Sequence, residues 1–396
     1  MEKHTKKIVG FNLIEVIIII VISGVTSSIA TGVISMHNSR TSSGTTYAEL
    51  LQDEGVKSFL DVYSGVVNGY YENVDKNKAI DSAINGMMNY LGDEYTTYLN
   101  GDATDSLTNS LAGSYVGIGV YIKDGAIIES TFEDSPAEKA GLQKGDKIVG
   151  INNEDVTNKS LEEVTKMIKD KKGFITLSII RNNQKQDVKV EVKEIDKPAI
   201  TTTTLEKNGQ NIGYMYIETF STTVANQVEK ALKRIDNDKI SKLIIDLRNN
   251  GGGYLSAASD IASMFLEKGK KIYSLEDKDS IKDYNDETDE KKNLKVVLLV
   301  NDGTASASEI LTAALKDSYG AEVVGTTTFG KGKVQQTKSL SDGTMVKYTT
   351  ARWLRPNGEC IDNIGIKPDY EVDLIKNEND EIIDTQLEKA IEVVLK

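Results

Sequence analysis

The period of the apolar positions changes along the chain, and each change marks a different kind of element. Phe11 to about Met36 is an apolar run whose one charge is Glu15. At about 1.5 Å of rise per helical residue, such a run crosses a bilayer core of roughly 30 Å. Residues 37–46 are mostly small and polar and read as a linker. From Tyr47 to about Leu99 apolar residues recur at helical spacing, as in Phe59, Val62, Val66 and Val67 and again in Ile80, Ile84, Met87 and Met88. That predicts a helical region over 47–112, with Asp93-Glu94-Tyr95 closing its helices. Between 113 and 194 the pattern shortens. Ser114–Ile122 alternates small and β-branched residues as a strand does, a brief helix follows Ser135, Leu161–Lys169 is amphipathic, and Ile175–Ile180 is a strand. Beyond 195 strands and helices alternate: strands at Ile212–Ile217, Lys242–Leu247 and Val296–Val300, helices at Val224–Ile235 and from Ile310. The near-continuous apolar run at Lys242–Leu247 suits a strand covered on both faces. The alternation predicts an α/β core over 195–396.

The segment 113–194 carries a further pattern. A strand with Gly117 and Gly119 precedes Ser135-Pro136-Ala137-Glu138-Lys139-Ala140-Gly141-Leu142, a short helix with Pro early and Gly at its stop. A turn and strand follow over Leu142–Asn152. By themselves the two glycines make an ordinary β-turn. The whole order resembles a PDZ domain of the bacterial protease type, which adds a peptide as an extra strand and holds its terminal carboxylate with backbone N–H groups. The resemblance implies that Val116, Gly117, Ile118 and Gly119 form that tail-binding loop.

Composition narrows the chemistry. A net charge of −13 leaves no basic surface for phosphates, so nucleic acid is not an expected partner. Cys360 is the single cysteine, which excludes an intramolecular disulfide and a thiolate metal cluster. The only histidines are His4 and His37, on either side of the apolar run. A Ser–His–Asp triad, a Cys–His pair and most zinc sites are therefore out of reach, and a hydrolase here needs another base.

Lys3, Lys6 and Lys7 precede the apolar run. They predict a cytoplasmic leader (1–10), a single-pass anchor (11–36) and the remainder on the extracytoplasmic side of the cell membrane. A cleaved secretory signal is the alternative, although the run is long for one and no clear A-x-A site follows. Gly10-Phe11-Asn12-Leu13-Ile14-Glu15 is also similar to a prepilin processing site, which would make Phe11 the mature N-terminus and give the costly Glu15 a reason.

Three turns in the last domain hold candidate chemistry. Arg248-Asn249-Asn250-Gly251-Gly252-Gly253 follows a strand and exposes consecutive backbone N–H groups, an anion site lacking the Gly-Lys-Ser/Thr ending of a phosphate loop. Thr304-Ala305-Ser306-Ala307-Ser308-Glu309 lies between a strand and a helix, where a serine is either an exposed nucleophile or a plain N-cap. In Thr328-Phe329-Gly330-Lys331-Gly332 a lysine is flanked by glycines. Solvated, it would titrate near about 10.4; an apolar pocket would let it lose its proton.

In this order the three motifs resemble those of the C-terminal processing peptidases, or tail-specific proteases. Asp342-Gly343, Thr350-Ala351-Arg352, Pro356-Asn357-Gly358 and Gly365-Ile366-Lys367-Pro368-Asp369 match the family's ending, so the likeness covers Tyr47 to the C-terminus. It implies a crotonase-like α/β core preceded by a PDZ domain and a helical region. It also implies a serine peptidase with a Ser–Lys dyad: Ser306 as nucleophile, Lys331 as base, and Gln335, one helical turn's spacing further on, orienting the lysine. Ala307, Gly252 and Gly253 would supply the oxyanion hole, and Glu309 and Asp317 would be structural. Thr304 replaces the first serine of the family motif. No metal or other cofactor is required. Expected partners are protein or peptide C-terminal tails and the membrane, with room for a homo-oligomer or a regulatory protein partner. A neutral Lys331 near pH 7.5 has to be favoured by about 4 kcal/mol over its behaviour in water. A tethered PDZ scaffold with a dead protease core is the rival, which loss of Ser306 or Lys331 would have marked. A pilus-associated role, which rests only on the Gly10–Glu15 match, is compatible with protease activity.

Overall fold

A computed structural model describes residues 46–289 and 291–396. The leader, the anchor, the Gly10 site and nearly all of the linker lie outside the described residues. Among the described residues no helix is long and apolar enough to cross a membrane. The described residues divide into two compact units, one up to Met87 and the other from Met88 to Lys396.

In the first unit, helix Tyr47–Leu50 starts at Thr46, whose backbone N–H donates to Glu49 Oε2 at 2.7 Å while Glu49 N donates back to Thr46 Oγ1 at 3.2 Å. Asp53 caps helix Glu54–Gly69 by accepting from Gly55 N and Val56 N. These side-chain caps satisfy amide groups that a helix start leaves unpaired. Helix Lys76–Tyr90 follows.

The second unit holds two domains. In the first, antiparallel strands run in the order Ser114–Gly117, Gln184–Asp196, Gly173–Arg181, Lys147–Ile151, Ile127–Thr131, Val120–Lys123. Ile128, Ile148, Leu177 and Ile179 fill its core, together with Val164 and Ile168 from helix Leu161–Lys169. Buried Asp146 takes a two-pronged ion pair from Arg181, Nε to Oδ1 at 2.7 Å and Nη2 to Oδ2 at 2.6 Å, and so fastens the turn before its strand. The strand expected over Ser114–Ile122 is broken at Ile118–Gly119. Ile118 turns its side chain into the core, and Gly119 takes a φ of +86°.

The second domain is built on a six-stranded sheet, ordered Tyr370–Glu371, Glu322–Gly325, Lys295–Val300, Lys242–Asp246, Gln210–Ile217, Ile200–Lys207. Every neighbouring pair is parallel except the last. Helices Val224–Asn237, Leu255–Ser263 and Ala307–Ala314 cover one face, and Thr385–Leu395 covers the other. This is why Leu243, Ile244 and Ile245 are all fully buried. A second, antiparallel sheet joins Lys333–Ser339, Met345–Leu354, Lys271–Glu276 and Ile281–Asn285 with the short strand Thr97–Leu99.

Candidate active site

Strands Lys242–Asp246, Lys295–Val300 and Glu322–Gly325 are neighbours and parallel, so the turns that leave their C-terminal ends meet on one edge of the sheet. In open α/β sheets that edge is where sites form. The turns are bonded to one another. Asn249 and Asn301 exchange two hydrogen bonds, Asn249 N to Asn301 Oδ1 at 2.8 Å and Asn301 Nδ2 to Asn249 Oδ1 at 2.9 Å. Ala305 N and Ser308 Oγ both donate to the Asn250 carbonyl, and Phe329 N donates to that of Thr304. Thr304 itself is buried and donates its hydroxyl to the Leu247 carbonyl at 2.8 Å, which ties this turn to the end of strand Lys242–Asp246.

Ser306 stands half-buried at the start of helix Ala307–Ala314, with φ +58° and ψ −117°. A non-glycine residue there is strained by about 1–3 kcal/mol and is held only by its surroundings. The helix begins at Ala307 rather than Ile310, because the first turn is packed on both sides and all of Ala307–Ala314 is buried. Ala307 N, at the first helical position, has no hydrogen-bond partner among the described residues, and neither has Gly253 N. The Gly252 amide differs: it donates to Asn250 Oδ1 at 2.9 Å. Gly252 matters for space, since a Cβ there would lie 2.8 Å from the Ala305 carbonyl oxygen and 2.9 Å from Ser306 Cβ.

Glu309 links this turn to the lysine turn. Its Oε2 accepts from Ser306 N at 2.8 Å and Lys331 N at 2.9 Å, and its Oε1 accepts from Gly330 N at 2.7 Å and Thr328 Oγ1 at 2.6 Å. Burial pushes this carboxyl above its usual range, against the pull of those four donors. The Lys331 carbonyl is fixed as well, by the indole N–H of the single tryptophan, Trp353, at 2.9 Å. Asp317 is paired with Arg355 at 2.6 Å, in the helix extension behind the site.

The Lys331 side chain is half-buried, and burial, followed by the nearby Lys347 charge, pushes its ammonium below the ordinary lysine value. Its Nζ lies over the Tyr95 ring, 4.7 Å from the centroid. Gln335 belongs to strand Lys333–Ser339, so the helical spacing read between 331 and 335 does not hold. A register shift between Val334 and Gln335 turns it, and its Nε2 donates to Thr349 Oγ1 at 3.2 Å. Tyr95, Trp353 and Thr349 come from distant parts of the chain, with no local spacing to point to them.

Of the four residues assigned to the tail-binding loop, Val116 and Gly117 lie in a strand, opposite Glu194 and Lys193. Ile118 and Gly119 make the turn that follows. The Ile118 carbonyl accepts from Ala137 N at 2.8 Å, and a Cβ on Gly119 would fall 2.3 Å from Ser135 Cβ. No group of three or more acidic, histidine or cysteine side chains that could hold a metal ion occurs among the described residues.

Three family profiles match the chain: Peptidase family S41 over residues 211–372, PDZ domain over 107–180 and Activating protease CtpB N-terminal domain over 24–103. A probable CtpA-like serine protease of Staphylococcus epidermidis is 37% identical over 339 residues, covering 84% of this chain and 68% of the relative. Its counterpart in Staphylococcus haemolyticus is 36% identical over 369 residues, covering 91% and 72%. Among solved structures, a photosystem II D1 C-terminal processing protease matches with 28% identity and a TM-score of 0.51, over 88% of this chain and 93% of its own.

Proposed function

This chain belongs to peptidase family S41, among the CtpA-like serine proteases, and from that premise we propose that it cleaves extracytoplasmic proteins near their C-termini with a Ser306–Lys331 pair. The observation that carries the pair is the Glu309 carboxylate, which bonds the backbones of both residues and so fixes one turn against the other. Neutral Lys331 takes the Ser306 hydroxyl proton as Oγ attacks the scissile carbonyl. The oxyanion that forms accepts from the amides of Ala307 and Gly253, which no other group occupies among the described residues. Collapse breaks the C–N bond, the proton on Lys331 passes to the leaving amine, and an acyl-enzyme remains on Ser306. Water then attacks the acyl carbon as Lys331 takes its proton, the Oγ–C bond breaks, Lys331 returns that proton to Ser306 Oγ, and the acid leaves. Gln335 orients the lysine once it turns from Thr349.

Burial of Lys331 supports the base role, because a desolvated ammonium gives up its proton more readily. The PDZ domain presents the substrate, with the Ile118–Gly119 turn receiving the tail, and residues 11–36 tether the enzyme to the membrane. The test uses a quenched fluorogenic peptide with an apolar tail and a free carboxylate. Ser306→Ala and Lys331→Ala should each lower kcat by orders of magnitude, and the double variant should be little worse than either, since the pair acts as a unit. A folded Lys331→Ala enzyme with wild-type kcat between about pH 6 and 9, where neutral lysine is needed, would remove the dyad.

A further inference from the structure

The segment from Asp93 to Leu99 reaches the protease from the helical part of the chain and touches both residues 331 and 335 or their partners. Its end pairs as strand Thr97–Leu99 with Met345–Leu354, Thr97 opposite Lys347. Just before it, the Tyr95 ring lies beneath two ammonium groups, Lys331 Nζ at 4.7 Å and Lys333 Nζ at 5.5 Å from its centroid. Asp93 Oδ2 accepts from Thr96 Oγ1 and from Thr349 Oγ1, each at 2.6 Å, and Oδ1 accepts from Lys333 Nζ at 3.1 Å. Thr349 is also the residue that holds Gln335, and its own N–H donates to Thr96 Oγ1 at 3.1 Å.

We propose that Tyr95 is a positioning residue for Lys331, held in place by the Asp93–Thr349 contact. This rests on Lys331 being the base. An aromatic face is unusual among apolar surfaces because it excludes water from an ammonium and attracts it at the same time. Exclusion of water favours the neutral amine; the attraction favours the cation and fixes where it sits. The ring thus sets both the resting place of Nζ and the ease of losing its proton. The other charges facing Lys331 are Lys347 on strand Met345–Leu354, which opposes its charge, and Glu309, Asp93 and Glu94, which favour it. Asp362 and Lys333 face Tyr95.

The experiment follows kcat and KM against pH for the full chain with the same fluorogenic peptide. In Tyr95→Ala water reaches the ammonium, so the alkaline-going limb should move to higher pH. At pH near 7.5 kcat should fall about ten-fold or more, with the tenfold step matching about one pKa unit, while KM stays unchanged. Tyr95→Phe keeps the ring face and should restore both limb and kcat. Tyr95→Leu, useful should the alanine variant not fold, still excludes water but offers no attraction, so its limb should move to lower pH. An unmoved limb in the folded alanine or leucine variant overturns the proposal, as does a phenylalanine variant no better than alanine. An inactive Lys331→Ala beside an unaltered Tyr95→Ala would sink this inference alone. A fully active Lys331→Ala would sink the base assignment and this inference with it.

Discussion

A carboxylate with no exposed surface has to be matched at both oxygens, and Glu309 is matched by four donors from two turns. An amide in its place would offer one acceptor oxygen and would aim an NH2 group at two of those donors. Glu309→Gln should therefore cost about 2–4 kcal/mol of stability, in the range for breaking a buried charged network. It should also lower kcat more than ten-fold, because the Ser306 and Lys331 turns would no longer share one anchor. Urea unfolding and peptide turnover would check the two effects separately. The sequence indicates part of this: Glu309 stands three residues past Ser306, the spacing at which a side chain reaches back to a helix start. Its contacts with Thr328, Gly330 and Lys331 come from another strand's turn and leave no local trace. At Lys331 the sign is simple. If Lys331 is the base, only its neutral amine accepts a proton, so kcat should rise with pH through a midpoint below the ordinary lysine value, in the direction burial pushes it. Lys331→Arg should be inactive throughout, since guanidinium keeps its proton.

Elements whose signals are local were legible in the sequence. Ser135 caps Pro136–Lys139 and Ser160 caps Leu161–Lys169, as their Ser-Pro and Ser-x-x-Glu patterns indicate. The buried strand Lys242–Asp246 shows as a bare apolar run. Elements defined by long-range pairing were not. Asp93-Glu94-Tyr95 has the look of a helix end, yet it leads into a strand whose partner, Met345–Leu354, is far along the chain. Asp93 is where this pairing can be weighed. Burial alone would raise its carboxyl, but hydrogen bonds from Thr349, Thr96 and Lys333 hold it down to about 2. A depressed carboxyl adds stability that is complete above its unfolded value of about 3.9 and fades as pH falls toward the folded one. Asp93→Asn should therefore be less stable than wild type by about 1–2 kcal/mol at neutral pH, a figure reduced for its partial solvent contact. The gap should narrow between about pH 4 and 2. A gap that stays constant over that range in thermal melts would mean Asp93 is not held ionised by the segment.

On the scale of the molecule, the PDZ and protease domains share one compact unit, and the stretch between them is fastened. Gln227 on helix Val224–Asn237 donates to the Lys197 carbonyl at 2.8 Å and accepts from Ala199 N at 2.9 Å, while Glu133 of the PDZ domain pairs with Arg234 of the same helix at 2.8 Å. If the first domain takes a substrate tail as proposed, it would present it at a set reach from the second, and even weak capture would raise the local substrate concentration. If residues 11–36 anchor the chain, protease added to intact cells should digest residues 47–396, and protection until lysis would reverse the orientation. The tail itself gives the sharper test. If backbone N–H groups at the Ile118–Gly119 turn hold the tail, they favour a charged end, so a peptide with a free C-terminal carboxylate should bind more tightly than its amide. Because the tail's contacts lie away from the reacting bond and are equal in ground and transition states, the difference should fall on KM and leave kcat alone. A charged hydrogen bond is worth about 1.5–3 kcal/mol, which predicts a KM ratio of roughly ten-fold or more. The preference should weaken in high salt, as a charge-based capture at a partly exposed turn must. Equal KM for acid and amide at low salt would show that the turn does not read the tail, and substrate choice would then have to rest on the groove around Ser306.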